Sequence, residues 1–344
     1  MVAKTRGADN WRTRWTRRAV SIPLVVAGAM LGTVLAPLLA LVSVIFDLAV
    51  RRRKWPTLRL LALGIAVLWL ELAAVVLAVL LWVVFLGRLT SAASLRWHNR
   101  VEQWWVGAIV GAAAHTIGLG FEVTGATTVA SGAVIAIGRH ASHADAFLPA
   151  WLLGTGQRRN LRYVIAGGLT WAPAFNLFGS RLPNVFVNRD KTHARADFSP
   201  IARLAATAGV NDAVVIFPEG QFFTPERQAR AVARIVDPVQ SARARRLRHL
   251  LPPRPGGTIA LLDAAPMADV LVIAHVGLER FRTARDFWRN VPIPQPVIVD
   301  IRRIPAADVP RHNPEATVGW LTDIWQDMDT WIDTALPKSS RGTT

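Results

Sequence analysis

The hydrophobic pattern divides the chain into two unlike parts. Val20 to Phe46 is almost wholly apolar, and Leu60 to Leu86 is apolar except for Glu71. Each run is long enough to cross a hydrocarbon layer of roughly 30 Å. A cationic connector, Arg51-Arg52-Arg53-Lys54-Trp55-Pro56-Thr57-Leu58-Arg59, lies between them. The first run is too long for a signal peptide and leads into this connector instead of a cleavage site. Two full crossings would put the connector and the basic N-terminus on opposite sides, although positive segments prefer the cytoplasm. A helical hairpin that dips into one leaflet and returns resolves the conflict, with two full crossings as the alternative. Pro23, Gly28, Gly32 and Pro37 make the first arm bendable. An ionised Glu71 in mid-span would cost about 2.5–3.5 kcal/mol, which a shallow hairpin or packing against the rest of the chain would reduce.

Beyond Arg88 the pattern becomes that of an α/β domain. Leu95 to Trp105, polar and aromatic, reads as an interfacial helix or linker. Continuous apolar or β-branched runs predict strands at Val129–Ile137, Tyr163–Ala166, Asn184–Val187, Ala213–Phe217, Val270–Val276 and Val297–Ile304. Helices are expected at Ala146–Gly154, Thr170–Phe178, Pro200–Ala208, Thr258–Ala264 and Pro314–Ala335. Thr224-Pro225 and Asp237-Pro238 each supply a cap followed by proline at the first helical position. The fold class expected is α/β, a mixed, mostly parallel sheet flanked by helices and preceded by an N-terminal two-helix membrane hairpin. The organisation follows: a basic interfacial tail over 1–19, the hairpin over 20–94, a catalytic domain over 95–336 and a flexible tail over 337–344.

Composition sharpens the membrane and partner readings. Hydrophobic residues make up 52% of the 344 residues and the net charge is +17. Such a balance favours an anionic partner. Trp11 and Trp15 among the N-terminal arginines suit the headgroup zone of an anionic leaflet. No nucleic-acid motif is present, and the arginine arm from Arg227 to Arg248 lacks interleaved aromatics, so lipid is the expected polyanion. The absence of cysteine rules out disulfides, thiolate metal sites and cysteine nucleophiles.

The candidate chemistry starts at Gly138-Arg139-His140-Ala141-Ser142-His143-Ala144-Asp145, where a strand is expected to end and a helix to begin. Imidazole takes a proton near neutral pH, and a carboxylate on its other nitrogen fixes the tautomer. Ser142-His143-Ala144-Asp145 also reads as a capping box, in which Asp145 serves only the helix start. A second block, Asn184-Val185-Phe186-Val187-Asn188-Arg189, delivers a guanidinium just past a strand. A third, Phe217-Pro218-Glu219-Gly220, places a carboxylate at another strand's end. In a parallel sheet such ends converge on one crevice.

These three blocks, in this order and spacing, resemble the glycerophospholipid acyltransferase family over about residues 125–280. The resemblance implies that His140 is the general base, with Asp145 orienting it. Arg189, Glu219 and Gly220 would line the pocket for the acceptor's polar head, with Arg139 and Arg227 as further candidate substrate-binding cations. The donor would be acyl-CoA or an acyl-carrier protein, used as co-substrate with no cofactor and no metal. The acceptor would be a lysophospholipid or glycerol phosphate, and the domain would lie on the cytoplasmic face of the cell membrane. The expected oxyanion donors are backbone N–H groups near the helix start or nearby side chains. The chain departs from the family pattern at Arg139, at Gln221-Phe222 and at Ala274-His275. Two other classes are weighed against this one: a metal-dependent hydrolase using His140, His143 and Asp145, and a non-catalytic adaptor on acidic lipid. His115 and His275 read as core histidines, the second bordering the pocket at most.

Overall fold

A computed structural model describes residues 11–125, 132–166, 172–187 and 197–336. The chain forms two compact units with interleaved boundaries. One gathers residues 1–120, 150–191 and 283–296, and the other 121–149, 192–282 and 297–344. The block expected as one catalytic domain, 95–336, thus contributes to both.

The first unit is built on four helices: α1 (Trp11–Val34), α2 (Ala36–Ala49), α3 (Pro56–Phe85) and α4 (Ala92–Ile117). The helix α1 keeps Pro23 in its interior; the break falls at Leu35, with Pro37 in the first turn of α2. α1 and α2 together form one arm of a hairpin and α3 the other. Gly28 lies against Leu68, Gly32 against Ile65 and Asp47 against Thr57, an antiparallel register. The turn is fixed by Asp47, fully buried, whose carboxylate accepts from Thr57 Oγ1 at 2.6 Å and from the Thr57 amide. The helices Trp15–Val34 and Pro56–Phe85 are long and apolar enough to cross a membrane. Leu31, Val34, Val79, Val83 and Val84 lie on their exposed surface, and Leu38 on that of α2.

Glu71 is not left in that apolar surface. It is buried and accepts from the Ala174 amide at 3.1 Å. Ala174 opens the helix Pro173–Arg181, whose N-cap, Ala172, offers no side-chain acceptor. The carboxylate therefore does the work of the missing cap, and the helix's positive end favours its charge. The expected helix over 170–178 begins and ends three residues later, its first two expected residues lying outside the described ones. From the same unit Arg18 reaches Asn176 Oδ1 and Ser180 Oγ, both at 2.8 Å, and Arg181 donates to the Ala78 carbonyl at 2.6 Å. Arg18, expected in the headgroup zone, is thus committed to protein. Arg52 of the connector lies over the Trp288 ring at 4.8 Å. Strands β3 (Asn160–Ala166) and β4 (Val185–Val187) run parallel.

The second unit holds a five-stranded sheet in the order β1-β7-β6-β2-β5. Its strands are β1 (Phe121–Gly125), β2 (Val134–Gly138), β5 (Asp212–Ile216), β6 (Asp269–Val276) and β7 (Val297–Ile304). All neighbours are parallel except β6 and β7, so the expected mixed, mostly parallel sheet with flanking helices is the fold observed. β2 and β5 are buried along their whole length, as central parallel strands must be when both faces are covered. The helix Pro314–Ala335 packs against β6 and buries Leu321, Ile324, Trp325, Met328 and Ile332.

One element, β1, escaped the pattern, and two expected helical stretches differ in type or bounds. β1 alternates in exposure at the sheet edge and carries little apolar signal. The segment after β2 is a short 3-10 turn, His143–Ala146, and one α-helical turn, followed in the first unit by a π-helical stretch, Ala150–Gly156. The helix α4 continues through Val106–Ile117, well beyond the expected Trp105.

At the end of β1, Gly125 adopts φ +85°, and a Cβ there would lie 2.2 Å from the Ile301 carbonyl oxygen of β7. Gly125→Ala is expected to cost at least about 1–3 kcal/mol through backbone strain, seen as a fall in thermal midpoint against wild type. An unchanged midpoint would contradict this register.

Candidate active site

The ends of three adjacent strands build the site. Gly138 of β2 pairs with Ile273 of β6, and Ile137 with Ile216 of β5. His140, Phe217-Glu219 and His275 therefore come off neighbouring strands at one level. Gly138 is needed here: a Cβ would stand 2.8 Å from the Phe217 ring. The Phe223 amide donates to the His140 carbonyl at 3.3 Å, tying the loop after β5 to the turn after β2.

Asp145 is the hub. Its Oδ2 lies 3.0 Å from His140 Nδ1 and accepts from the Ser142 amide at 2.7 Å and from the Ala141 amide. Its Oδ1 accepts from Ser142 Oγ at 3.1 Å. The capping box read from the sequence is present, with Ser142 Oγ accepting from Ala144 N. Capping and imidazole orientation are done by the same carboxylate. Burial alone would push Asp145 up. The charge of His275, the bond from His140 and the Ser142 amide together hold it below the usual carboxylate range.

His275, read from the sequence as a core histidine bordering the pocket at most, is buried behind Asp145. It is 1% exposed, its Nε2 lies 3.6 Å from Asp145 Oδ1, and neither ring nitrogen makes a hydrogen bond among the described residues. Burial drives it below the ordinary histidine range, with Asp145 pulling the other way. His275 lies two residues past Ile273 in β6, a placement that only the pairing of β6 with β2 discloses.

The other expected site residues fall in several places. Arg139 is buried; its guanidinium donates to the His275 carbonyl and lies 3.7 Å from Glu279. Glu219 is 1% exposed, and each oxygen accepts one backbone N–H at 2.8 Å, from His140 and from Leu251. Gly220 adopts φ +67° beside the Arg254 guanidinium. Arg227 is half-buried, stacked at 4.4 Å on Phe222, and donates to the Phe222 carbonyl at 3.0 Å. Arg189 lies outside the described residues.

Two phenylalanines wall the base. The His140 ring is 5.1 Å from Phe217 and 5.8 Å from Phe222, the second edge-on. Phe222 also meets the exposed His143 at 5.0 Å. Among the described residues no group of three or more His, Asp or Glu side chains gathers as a metal site. The amides of His140, Ala141, Ser142 and Ala144 are all occupied by side-chain acceptors. The helix-start N–H groups expected to hold an oxyanion are thus largely spoken for.

This part of the chain is an α/β domain that presents a histidine–carboxylate pair in the turn after a central parallel strand. The family model described as Acyltransferase matches residues 120–276, the span holding His140, Asp145, Glu219 and His275, in agreement with the acyltransferase family that the three ordered blocks resemble. The crystal structure of the 1-acyl-sn-glycerophosphate (LPA) acyltransferase PlsC from Thermotoga maritima is similar over 78% of this chain and 98% of its own, at 13% identity and a TM-score of 0.49. No curated protein matches the chain.

Glu219 yields a pH prediction. Burial outweighs its two N–H bonds and pushes it up to about 8 from an ordinary 4.5. The folded state therefore holds that proton more tightly than the unfolded chain. The resulting stability is complete below about pH 4.5 and is lost as pH rises through about 8. Glu219→Gln should flatten stability across this window in denaturant titrations at several pH values. At acid pH it should cost about 1–3 kcal/mol, because an amide NH₂ cannot accept the second N–H. A variant with the wild-type slope would show that Glu219 is ionised throughout.

Proposed function

We propose that the protein is a membrane-associated O-acyltransferase. It moves a fatty acyl group from acyl-CoA, or an acyl-carrier protein, to a hydroxyl of lysophosphatidic acid or a related glycerol or lysolipid acceptor. The observation that carries this reading is the 3.0 Å approach of His140 Nδ1 to the buried Asp145 carboxylate, within a segment that matches the acyltransferase family.

With Nδ1–H donating to Asp145, the lone pair of His140 lies on Nε2. The acceptor hydroxyl gives its proton to Nε2 as its oxygen attacks the thioester carbonyl carbon. The tetrahedral intermediate collapses with cleavage of the carbon–sulfur bond, and the imidazolium returns its proton to the departing thiolate. No acyl-enzyme and no cofactor are needed. Asp145, kept ionised by its surroundings, stabilises the imidazolium through this cycle. Phe217 and Phe222 hold the ring in place and limit water around it. Arg227, stacked on Phe222, and Arg189 are the cations offered to an acidic head group.

The exposed apolar surface of α1, α2 and α3 supports seating in a membrane, with the cationic connector and the site on the cytoplasmic face. Anionic lipid is the expected leaflet partner.

His140→Ala should lower kcat by about 10²–10⁴ while leaving the thermal midpoint near wild type. Asp145→Asn should lower kcat and also the midpoint, since Asp145 serves two amides as well as the imidazole. The assay is transfer of labelled acyl groups from acyl-CoA to glycerol 3-phosphate, lysophosphatidic acid, other lysophospholipids and glycolipids. Wild-type turnover in His140→Ala, or no transfer to any acceptor, would remove this function and leave the adaptor reading.

A further inference from the structure

The helices Pro225–Val232 and Pro238–Arg245 meet in an elbow, and its exposure is unusual. Val236 at the bend is 95% exposed and Val239 is 67% exposed. The bend is nevertheless fixed: Asp237 caps the second helix, its Oδ1 accepting from Val239 N at 2.7 Å and Gln240 N at 3.0 Å. The back of that helix is docked on the C-terminal helix, where Arg243 donates to Gln326 Oε1 at 2.9 Å and to Asp323. Asp329 accepts from the amides of Arg248 and His249. Asp323 pairs the Arg243 guanidinium, and Asp333 lies 3.8 Å from that of Arg248. Arg234, Arg245 and Arg246 are exposed and have no acidic partner among the described residues. Beside the elbow opens a cavity of about 250 Å³ with a mainly apolar lining that includes Ile235, Val236, Leu247 and Leu321.

A rigid bend that shows two valines to water between unpaired arginines is built for a surface both anionic and apolar. A nucleic acid matches the charge but gives the valines nothing. A phosphate-bearing leaflet matches both, because the side chains can enter the acyl boundary while guanidiniums meet the headgroups.

We propose that this elbow is a second membrane contact of the protein: Val236 and Val239 enter the interfacial layer of an anionic leaflet, with Arg234, Arg245 and Arg246 over its phosphates. The inference rests on the membrane reading above and adds an attachment point in the sheet-bearing unit.

The chain has no cysteine, so one label can be placed at a time. Val236→Cys, carrying an environment-sensitive fluorophore, is reconstituted as full chain in phosphatidylcholine vesicles with or without phosphatidylglycerol. Val84→Cys on α3, 71% exposed, reports the hairpin, and Met267→Cys, 87% exposed, reports an aqueous loop. The Val236 label should blue-shift and brighten several-fold in anionic vesicles, be quenched by lipid-borne nitroxide, and lose both responses with Arg234→Gln, Arg245→Gln and Arg246→Gln combined. The Met267 label should stay aqueous. A Val236 label that stays aqueous while the Val84 label enters lipid overturns the elbow contact alone. If both stay aqueous, the membrane reading falls with it. A Val236 response to duplex DNA or RNA but not to vesicles would assign the patch to nucleic acid instead.

Discussion

Asp145 is a carboxylate buried to 1% exposure, and such a group is tolerated only when its lone pairs are satisfied. That constraint shapes everything around it. The amides of Ala141 and Ser142, the Ser142 hydroxyl and His140 Nδ1 are all drawn to one point. The chain after β2 must therefore curl at once into the 3-10 turn His143–Ala146. Glu219 repeats the device one strand away, bridging the amides of His140 and Leu251. The backbone of His140 is held by one buried acid and its ring by another. An imidazole fixed at both ends loses little orientational freedom when a substrate arrives, which is how a positioned base gains its advantage.

The aromatic residues complete the confinement from the apolar side. Phe217 comes close to β2 because residue 138 is glycine, and Phe222 meets the imidazole edge-on. Phe222 also carries Arg227 on its face, so a cation enters the neighbourhood of the base by stacking. Phe222 stands at one of the chain's departures from the resembled family's pattern, and its ring brings Arg227 alongside.

What the sequence disclosed follows from which forces are local. The strands β2, β5 and β6 were legible because fully buried parallel strands are written as continuous apolar runs. His140 and Asp145 were legible because their contact spans five residues and its turn is coded by a capping box. β1 was not, since an edge strand with one exposed face depends on its partner for assignment. The antiparallel reversal of β7 is equally a tertiary fact, invisible to periodicity. His275 lies 135 positions beyond His140, and only the register of β6 against β2 puts it behind Asp145. Arg139 and Glu219 read from sequence as ligands for a substrate. Their burial against backbone groups is a three-dimensional outcome that residue type alone does not forecast.

The charge of the chain teaches the same lesson from the other side. A net +17 suggests a cationic surface waiting for a polyanion, yet many arginines are spent inside the protein. Arg18 holds the helix Pro173–Arg181, Arg139 braces the strand bearing His275, Arg181 reaches the Ala78 carbonyl and Arg243 meets the C-terminal helix. Guanidinium suits these tasks because it donates several bonds in fixed directions to carbonyl and carboxylate oxygens. What matters for a partner is the residue of charge left after such internal pairing. Around the elbow at Asp237 that remainder coincides with the most exposed valine among the described residues. Electrostatic attraction and apolar burial then favour the same contact, and neither would fix an orientation on a membrane alone.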